Sequence, residues 1–383
     1  MQPSKRIVIV AGEESGDVHA AAFIRELKQR NSNINFSGIG GQHMKDAGAD
    51  IICNLACFGT TGISEVIRNA RVLYRAFQDI KVHLEKQKPD LLILVDFPGF
   101  NLRLAKFAKL NLNIRILYYI SPQIWAWKAN RIHTIRAYID KMAVILPFEK
   151  IIYEKGGVPA SFVGHPLVDK ILVNQDVTEL KSRLKIPSNK RIIAMLPGSR
   201  SNEIVRLMPV LFDAAKQLIQ KHPDLHFVIP VARTIKSELI ESYLANSTLP
   251  YSLIQEQASE VVYCSDFAVV ASGTASLECA LLIKPMCIIY KASWLTYLAA
   301  SKLIRVRFLG LCNLLQNQMI VPELLQYDCN ATELARSIST LMTNSELSNR
   351  MITRLQALKL SLSTQQADFT ISSLIESEIG TLA

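Results

Sequence analysis

Three carboxylates, Glu13, Glu14 and Asp17, crowd the heptapeptide AGEESGD that begins at Ala11, directly after the apolar run RIVIVA. A strand that feeds a glycine turn and a helix usually offers backbone N–H groups to an anion. Side chains of this sign repel a pyrophosphate, so another group must sit over the turn. Asp17 also has a structural reading, as the cap of a helix starting at Val18. A further carboxylate, Asp96, ends the run LLILV ahead of FPGFN, where Pro98 and Gly99 turn the chain away. At the carboxyl end of a buried strand, and partly desolvated, it holds the position of a general base with a raised pKa. Anchoring of the following loop is its other reading. His19, in the first turn of the next helix, is a rival base.

The second half of the chain carries a different chemistry. LPGSRSNEI sets Gly198, Ser199 and Arg200 between a strand and a helix. Glycine allows close backbone approach, Ser199 can cap the helix, and the helix N-terminus attracts negative charge. Arg200 adds a fork that grips a phosphate in bidentate fashion; an ordinary surface arginine is the alternative. ASGTASLE, from Ala271, offers a second such turn, with Gly273, Thr274 and Ala275 supplying N–H groups. Glu278 either accepts both hydroxyls of a ribose or complements a helix dipole. Two such turns in one domain suit a sugar nucleotide laid across strand ends. Trp125 and Trp127, beside Lys128 and Arg131, could stack on a sugar, cover an acyl chain or serve as core. Neither metal-ligand spacing nor a DxD motif is present, so no metal and no cofactor are expected.

These residues need strands and helices to place them. Unbroken apolar runs at Arg6, Asp90, Ile114 and Asp140 read as strands of a parallel sheet, with helical segments between them. The alternation restarts at Arg191, Leu225, Asp266 and Met286. The fold class expected is α/β, two Rossmann-like domains facing a cleft, with ligands at the carboxyl ends of the strands. The boundaries are 1–165 for an N-terminal acceptor-binding domain, 166–190 for a junction and 191–365 for a C-terminal nucleotide-sugar domain. A helix over 366–383 then packs back on the first domain or on a partner. A 383-residue chain with 49% hydrophobic residues has enough apolar mass for two such cores. A net charge of +10 favours an anionic partner, but no nucleic-acid module is recognisable. The missing GxGxxG after the first strand argues against a dinucleotide oxidoreductase. Seven scattered cysteines, no signal-like segment and no spanning stretch point to a reducing cytoplasm.

Eight stretches in order carry a resemblance over essentially the whole chain: AGEESGD, VDFPGFN, YYISPQIWAWKANR, LPFEK, FVGHPLVD, LPGSR, ASGTASLE and NLLQNQMIVPELLQ. The chain resembles the lipid-A-disaccharide synthase family, glycosyltransferases of the GT-B type. The resemblance implies transfer from UDP-2,3-diacylglucosamine to 2,3-diacylglucosamine 1-phosphate. The products would be the β-1,6-linked lipid A disaccharide 1-phosphate and UDP, formed by inversion without a metal. It sets the acidic turn of the first domain against the acceptor sugar, which makes Glu13 and Asp17 catalytic candidates beside Asp96. Ser15, Trp125 and Asn313 become acceptor or cleft residues. His165, in GHP, reads by itself as a satisfied polar group that fixes the junction loop and not as a metal ligand. Asn317 and Gln318 depart from the family, which commonly has Gly and a basic residue there. A homodimer is left open.

Both of those substrates carry acyl chains. The segment from Gly62 to Lys86 reads as one long helix whose Ile63, Val66, Ile67, Ala70, Leu73, Tyr74 and Phe77 follow helical spacing. Arg68, Arg71 and Arg75 flank that face. The pattern suits a helix lying in an anionic inner-membrane surface, or one packed on its own sheet.

Overall fold

A computed structural model of the protein describes residues 4–55, 63–126, 128–171, 175–245, 247–293 and 307–380, with side chains omitted at 63–69 and 169–170. The apolar runs form strands whose side chains are sealed on both faces, as in Leu91–Val95, where every residue is buried. Such strands need helices on both sides, and the chain supplies them. Two compact units result, Met1–Pro166 with Leu362–Ala383, and Leu167–Ser361.

The first unit holds β1 (Lys5–Ala11), β2 (Ile34–Gly40), β3 (Asp50–Asn54), β4 (Leu91–Val95), β5 (Ile116–Tyr119), β6 (Lys141–Val144) and β7 (Ala160–Phe162). Its helices are α1 (Glu14–Arg30), α2 (Gln42–Asp46), α3 (Ile63–Gln87), α4 (Pro98–Leu112), α5 (Arg131–Tyr138) and α6 (Pro147–Lys155). All seven strands run parallel in the order β3-β2-β1-β4-β5-β6-β7. One apolar layer joins β1 and β4 to α1 through Phe23, Ile24 and Leu27. The opposite layer joins the sheet to α3 and α4 through Ile80, Leu84, Leu104 and Ala108.

The helix α7 (Pro166–Lys170) opens the second stretch, followed by α8 (Val177–Arg183), α9 (Ser201–Lys221), α10 (Ser237–Leu244), α11 (Ala258–Cys264) and α12 (Thr274–Leu281). After these come α13 (Leu311–Gln316), α14 (Ala331–Thr343) and α15 (Ser345–Ser361). Its strands are β8 (Arg191–Leu196), β9 (Leu225–Val231), β10 (Tyr251–Gln255), β11 (Phe267–Ala271), β12 (Met286–Tyr290) and β13 (Glu323–Leu325). They also pair in parallel, in the order β10-β9-β8-β11-β12-β13.

The last helix, α16 (Ile371–Glu378), belongs to the first unit. Leu374, Ile375 and Ile379 enter the layer that holds Phe23 and Ile24. Polar ties fix its rim: Ser372 Oγ donates to Glu26 at 2.6 Å, and Arg115 pairs with Glu378 at 2.6 Å.

Two local readings change. Helix α1 starts at Glu14, not at Val18. The carboxylates of Glu14 and Asp17 therefore lie inside its first turn, where they complement the positive end of the helix dipole. The strand INFSGIG escaped sequence reading because Asn35, Ser37 and its glycines interrupt the apolar run, yet it pairs with β1 over its length.

Candidate active site

In each sheet the strand order turns back on itself at one place, between β1 and β4 in the first and between β8 and β11 in the second. Loops leaving two such neighbours diverge to opposite faces and open a crevice at the strand ends. AGEESGD follows β1 and VDFPGFN spans the end of β4; LPGSR follows β8 and ASGTASLE follows β11. Each unit thus brings its own pair of motifs together.

In the first unit Ala11 faces Val95 in the sheet register, so Gly12 and Asp96 leave their strands side by side. Asp96 and Phe97 both adopt left-handed backbone, with φ of 45° and 48°. Non-glycine residues pay for that conformation in strain, which persists where surrounding contacts overdetermine it. Here the Asp96 N–H donates to Tyr119 O at 2.9 Å. Its carbonyl accepts from Asn101 Nδ2 at 2.7 Å and from the Tyr118 hydroxyl at 2.5 Å. The backbone is clamped and the carboxyl is left at the strand end. The Phe97 ring lies against Gly12, where a Cβ would collide with it. Burial pushes the Asp96 carboxyl up to about 6, the charge of Glu13 adds to this, and the Phe97 N–H opposes it. Glu13 is exposed and stands just before α1, and Ser15 is exposed in the first turn. Glu14 meets His43 at 3.1 Å.

Asp17 does other work. It is completely buried. Its Oδ1 accepts from the N–H groups of Gly41 and Met44 at 2.7 and 3.1 Å, and its Oδ2 from His43 at 2.9 Å. It caps α2, not its own helix, and both oxygens are engaged, so it does not stand beside Asp96 as a second base. His165 is held neutral: burial and then the neighbouring His19 bring its pKa down to about 4. Its backbone N–H donates to Leu362 O at 2.9 Å, tying that loop to the returning tail.

Trp125 is partly exposed on the loop after β5 and donates its indole N–H to Glu149 at 3.0 Å. Trp127 lies outside the described residues. The membrane-facing stripe divides. Val66, Ile67 and Arg68 have no described side chains. Leu73 and Phe77 turn inward, with Phe77 meeting the Phe100 ring edge-on at 5.3 Å. Arg71 and Tyr74 are exposed, Tyr74 to 66%. The inward stripe of α3 continues through the buried Ala76, Ile80 and Leu84, against which Leu73 and Phe77 pack half-buried.

In the second unit the strand ends frame a pocket of about 530 Å³, the size of a small-ligand site. Gly198, Ser199, Arg200, Gly273, Thr274 and Ala275 all line it. The N-cap of α9 is Arg200 rather than Ser199. Ser199 instead donates its N–H to Glu203 Oε2 at 3.1 Å, and its carbonyl accepts from Thr234 Oγ1 at 2.6 Å. Gly198, at φ 114°, leaves the space that the Glu203 carboxylate fills. Glu203 also meets Arg200 Nη1 at 3.4 Å and steadies that guanidinium at the pocket rim. Among the described residues nothing lies within 4 Å of where a Cβ on Gly273 would point, which leaves that backbone open to close approach by a ligand. Glu278 is not in the pocket lining; a turn deeper in α12, it accepts from the Ser259 hydroxyl. Among the lining residues that the sequence did not reveal are Glu203 and Arg233. Glu203 could have been found from its place three residues after the N-cap. Arg233 could not, because it reaches the pocket only through the pairing of β9 with β8.

Asn313 is a structural residue and not part of an acceptor cleft. It is fully buried. Its Nδ2 donates to Val321 O and Glu323 Oε1 at 2.8 and 2.7 Å, and its Oδ1 accepts from Ile320 and Val321 at 2.7 and 2.9 Å. It knits the 313–323 loop and has no hydrogen-bonding capacity left for an acceptor. Asn313→Ala is expected to cost about 2–4 kcal/mol, because buried N–H groups lose their acceptor. Denaturant unfolding measures this, alongside UDP affinity, which stays unchanged; weaker UDP binding at unaltered stability would restore a ligand role. The departures next to it also have a physical account. Asn317 takes the left-handed C-cap of α13 at φ 46°, a conformation asparagine tolerates next best to glycine. Gln318 accepts from Arg354 at 2.6 Å.

Two doubly wound units, with a nucleotide-sized pocket at the switch point of one and a desolvated carboxyl at that of the other, place the chain in the GT-B fold class. The same fold occurs in a putative UDP-N-acetylglucosamine 2-epimerase from Listeria monocytogenes, at TM-score 0.67 and 11% identity over 99% of this chain and 97% of that one. It also occurs in Acinetobacter baumannii MurG, at TM-score 0.59 and 15% identity over 99% and 100% of the two chains. The family model for lipid-A-disaccharide synthetase matches residues 7–377. Lipid-A-disaccharide synthase 1 of Legionella pneumophila is 55% identical over 379 residues, 99% of each chain. The chain belongs to the lipid-A-disaccharide synthetase family.

Proposed function

We propose that the protein transfers a 2,3-diacylglucosaminyl group from UDP to the 6-hydroxyl of 2,3-diacylglucosamine 1-phosphate. The single observation that carries the reading is the clamped, partly desolvated Asp96 carboxyl beside Glu13 at the β1 and β4 ends. Asp96 takes the hydroxyl proton as the acceptor oxygen bonds to the anomeric carbon. The bond from that carbon to the β-phosphate oxygen breaks, and its electron pair leaves on UDP. One face of the carbon is attacked while the other is vacated, so configuration inverts. UDP leaves with growing negative charge, which the α9 and α12 N-termini, Arg200 and Arg233 suit. Glu13 accepts hydrogen bonds from the acceptor sugar, with Ser15 and Trp125 beside it.

The test is UDP release by the purified protein supplied with both diacylated substrates. Release is expected only when the acceptor 1-phosphate is present. Release from the donor alone would favour hydrolysis or epimerisation of a UDP-sugar instead.

The reading extends to the inner-membrane surface, where substrates with acyl chains reside. Exposed Tyr74 between Arg71 and Arg75 supports it, as an aromatic flanked by cations fits an anionic interface. Leu73 and Phe77 pack half-buried against the core and are left intact in the test. Joint replacement of Val66, Ile67 and Tyr74 by Ser is expected to lower sedimentation with phosphatidylglycerol vesicles about tenfold while the melting temperature holds. Unchanged vesicle binding would remove the interfacial role from this helix.

A further inference from the structure

The LPFEK stretch supplies a buried acid that the transfer chemistry above does not use. Glu149 lies in the first turn of α6 and is 2% exposed. Its Oε1 accepts the Trp125 indole N–H at 3.0 Å. Its Oε2 is sealed from water without a hydrogen-bond partner among the described residues, and so is the Ser121 hydroxyl oxygen. Ser121 acts on both the Glu149 carboxyl and the Tyr153 phenol. Tyr153 donates to Pro122 O at 2.7 Å, and Tyr118 donates to Asp96 O at 2.5 Å. A polar cluster therefore runs below the strand ends from Asp96 to Trp125. Around Glu149 the titratable groups are Asp96 at the end of β4, the neutral Tyr118 and Tyr153 phenols, whose pKa burial raises, and Arg131, whose charge acts on both phenols. Lys150, the next residue, turns away to Asp368 at 2.9 Å.

An ionised carboxylate with one oxygen buried and unpaired is costly. A carboxylic acid in the same place is not. Its carbonyl oxygen keeps the indole N–H, and its O–H can donate towards Ser121. Burial pushes Glu149 up to about 7; Trp125, Ser121 and the Leu146 backbone favour the charged form and oppose it, and the charge of Asp96 acts in the same direction as burial.

We propose that Glu149 is a positioning residue that works as a neutral carboxylic acid, holding the Trp125 indole as a wall of the acceptor site beside Asp96. The inference rests on the reading of that site as the place of acceptor binding. Trp125 is gripped at two points, by this hydrogen bond and by the Phe148 ring, edge-on at 5.2 Å. Loss of the first leaves the indole free to rotate on its loop.

The experiment compares Glu149→Gln and Glu149→Ala in the full chain. Glutamine reproduces the neutral acid, with an oxygen for the indole and a donor for Ser121. Its kcat and acceptor KM are expected within about threefold of the parent. Alanine is expected to raise the acceptor KM about tenfold or more, with kcat less affected and UDP affinity unchanged. Tryptophan emission of the alanine variant shifts to the red, a shift that is absent when Trp125→Phe is the background. A folded glutamine variant as impaired as the alanine one would show that charge is required, and overturn the proposal. So would an alanine variant as active as the parent.

Melting curves test the protonation state independently, even where the alanine variant fails to fold. The folded-state pKa of Glu149 is raised, so the folded protein keeps this proton longer than the unfolded chain does. That contribution to stability is complete below the unfolded value, near 4.5, and is lost as pH rises through about 7. Glutamine has no proton to lose. The melting temperature of Glu149→Gln is therefore expected to gain on that of the parent between pH 5 and pH 8, and no gain would overturn the neutral-acid form. Emission and melting do not depend on Asp96 being the base. If they behave as stated while Asp96→Asn keeps its activity, only the base assignment fails.

Discussion

Asp96→Asn is expected to lower kcat by about 10² or more while the affinity for UDP stays that of the parent. The amide preserves volume, so the clamp formed by Tyr119, Asn101 and Tyr118 on the Asp96 backbone is kept. What it removes is the only feature needed for proton transfer, a basic oxygen. The UDP-sized pocket belongs to the second unit and contains no residue of this cluster. Binding and turnover should therefore separate. The parent supplies a matching pH dependence. Its base works ionised, and burial places the carboxyl at about 6, so kcat/KM rises with pH below about 6 and levels above it. A near-normal rate in the Asn variant would pass the role to Glu13 or His19, and a flat profile across pH 5–7 would separate the base from the rate.

Arg200→Ala is expected to lower kcat/KM for the UDP-sugar by about 10²-fold, with loss in both kcat and KM. The guanidinium lies at the pocket rim, 70% exposed and steadied by Glu203 at 3.4 Å. Because charge on the leaving diphosphate grows as its bond to the sugar breaks, a cation there contributes more in the transition state than in the ground state. Arg200→Lys keeps the charge but loses the two-pronged grip, and is expected to fall between alanine and parent. Arg233→Ala provides the comparison with a second cation of the same pocket. Unchanged UDP affinity and rate in Arg200→Ala would move the diphosphate elsewhere.

The sequence alone determined the alternation of apolar runs with helical segments, and with it two parallel sheets. Burial on both faces imposes an unbroken apolar composition on a strand, and that composition is visible without a structure. It also determined the chemistry of the motifs, since residue type sets what a side chain can donate, accept or protonate. Interrupted strands such as β2 stayed hidden, because their pairing depends on a neighbour distant in sequence.

Tertiary structure decided which of those groups remain available. Asp17 and Asn313 look like ligand-binding polar residues in one dimension, yet each spends its hydrogen bonds on groups brought in from elsewhere, the backbone at the start of α2 for the one, the 320–321 backbone and the Glu323 carboxylate for the other. Strand order alone puts Gly12 beside Asp96 and brings Arg233 to the pocket that Arg200 lines. The raised pKa of Asp96 and the neutral form of Glu149 follow from desolvation, a property of the packed surroundings and not of the residue. The face of α3 shows the same limit: its spacing fits a core stripe and a membrane stripe equally, and only the Phe100 ring packed against Phe77 tells them apart.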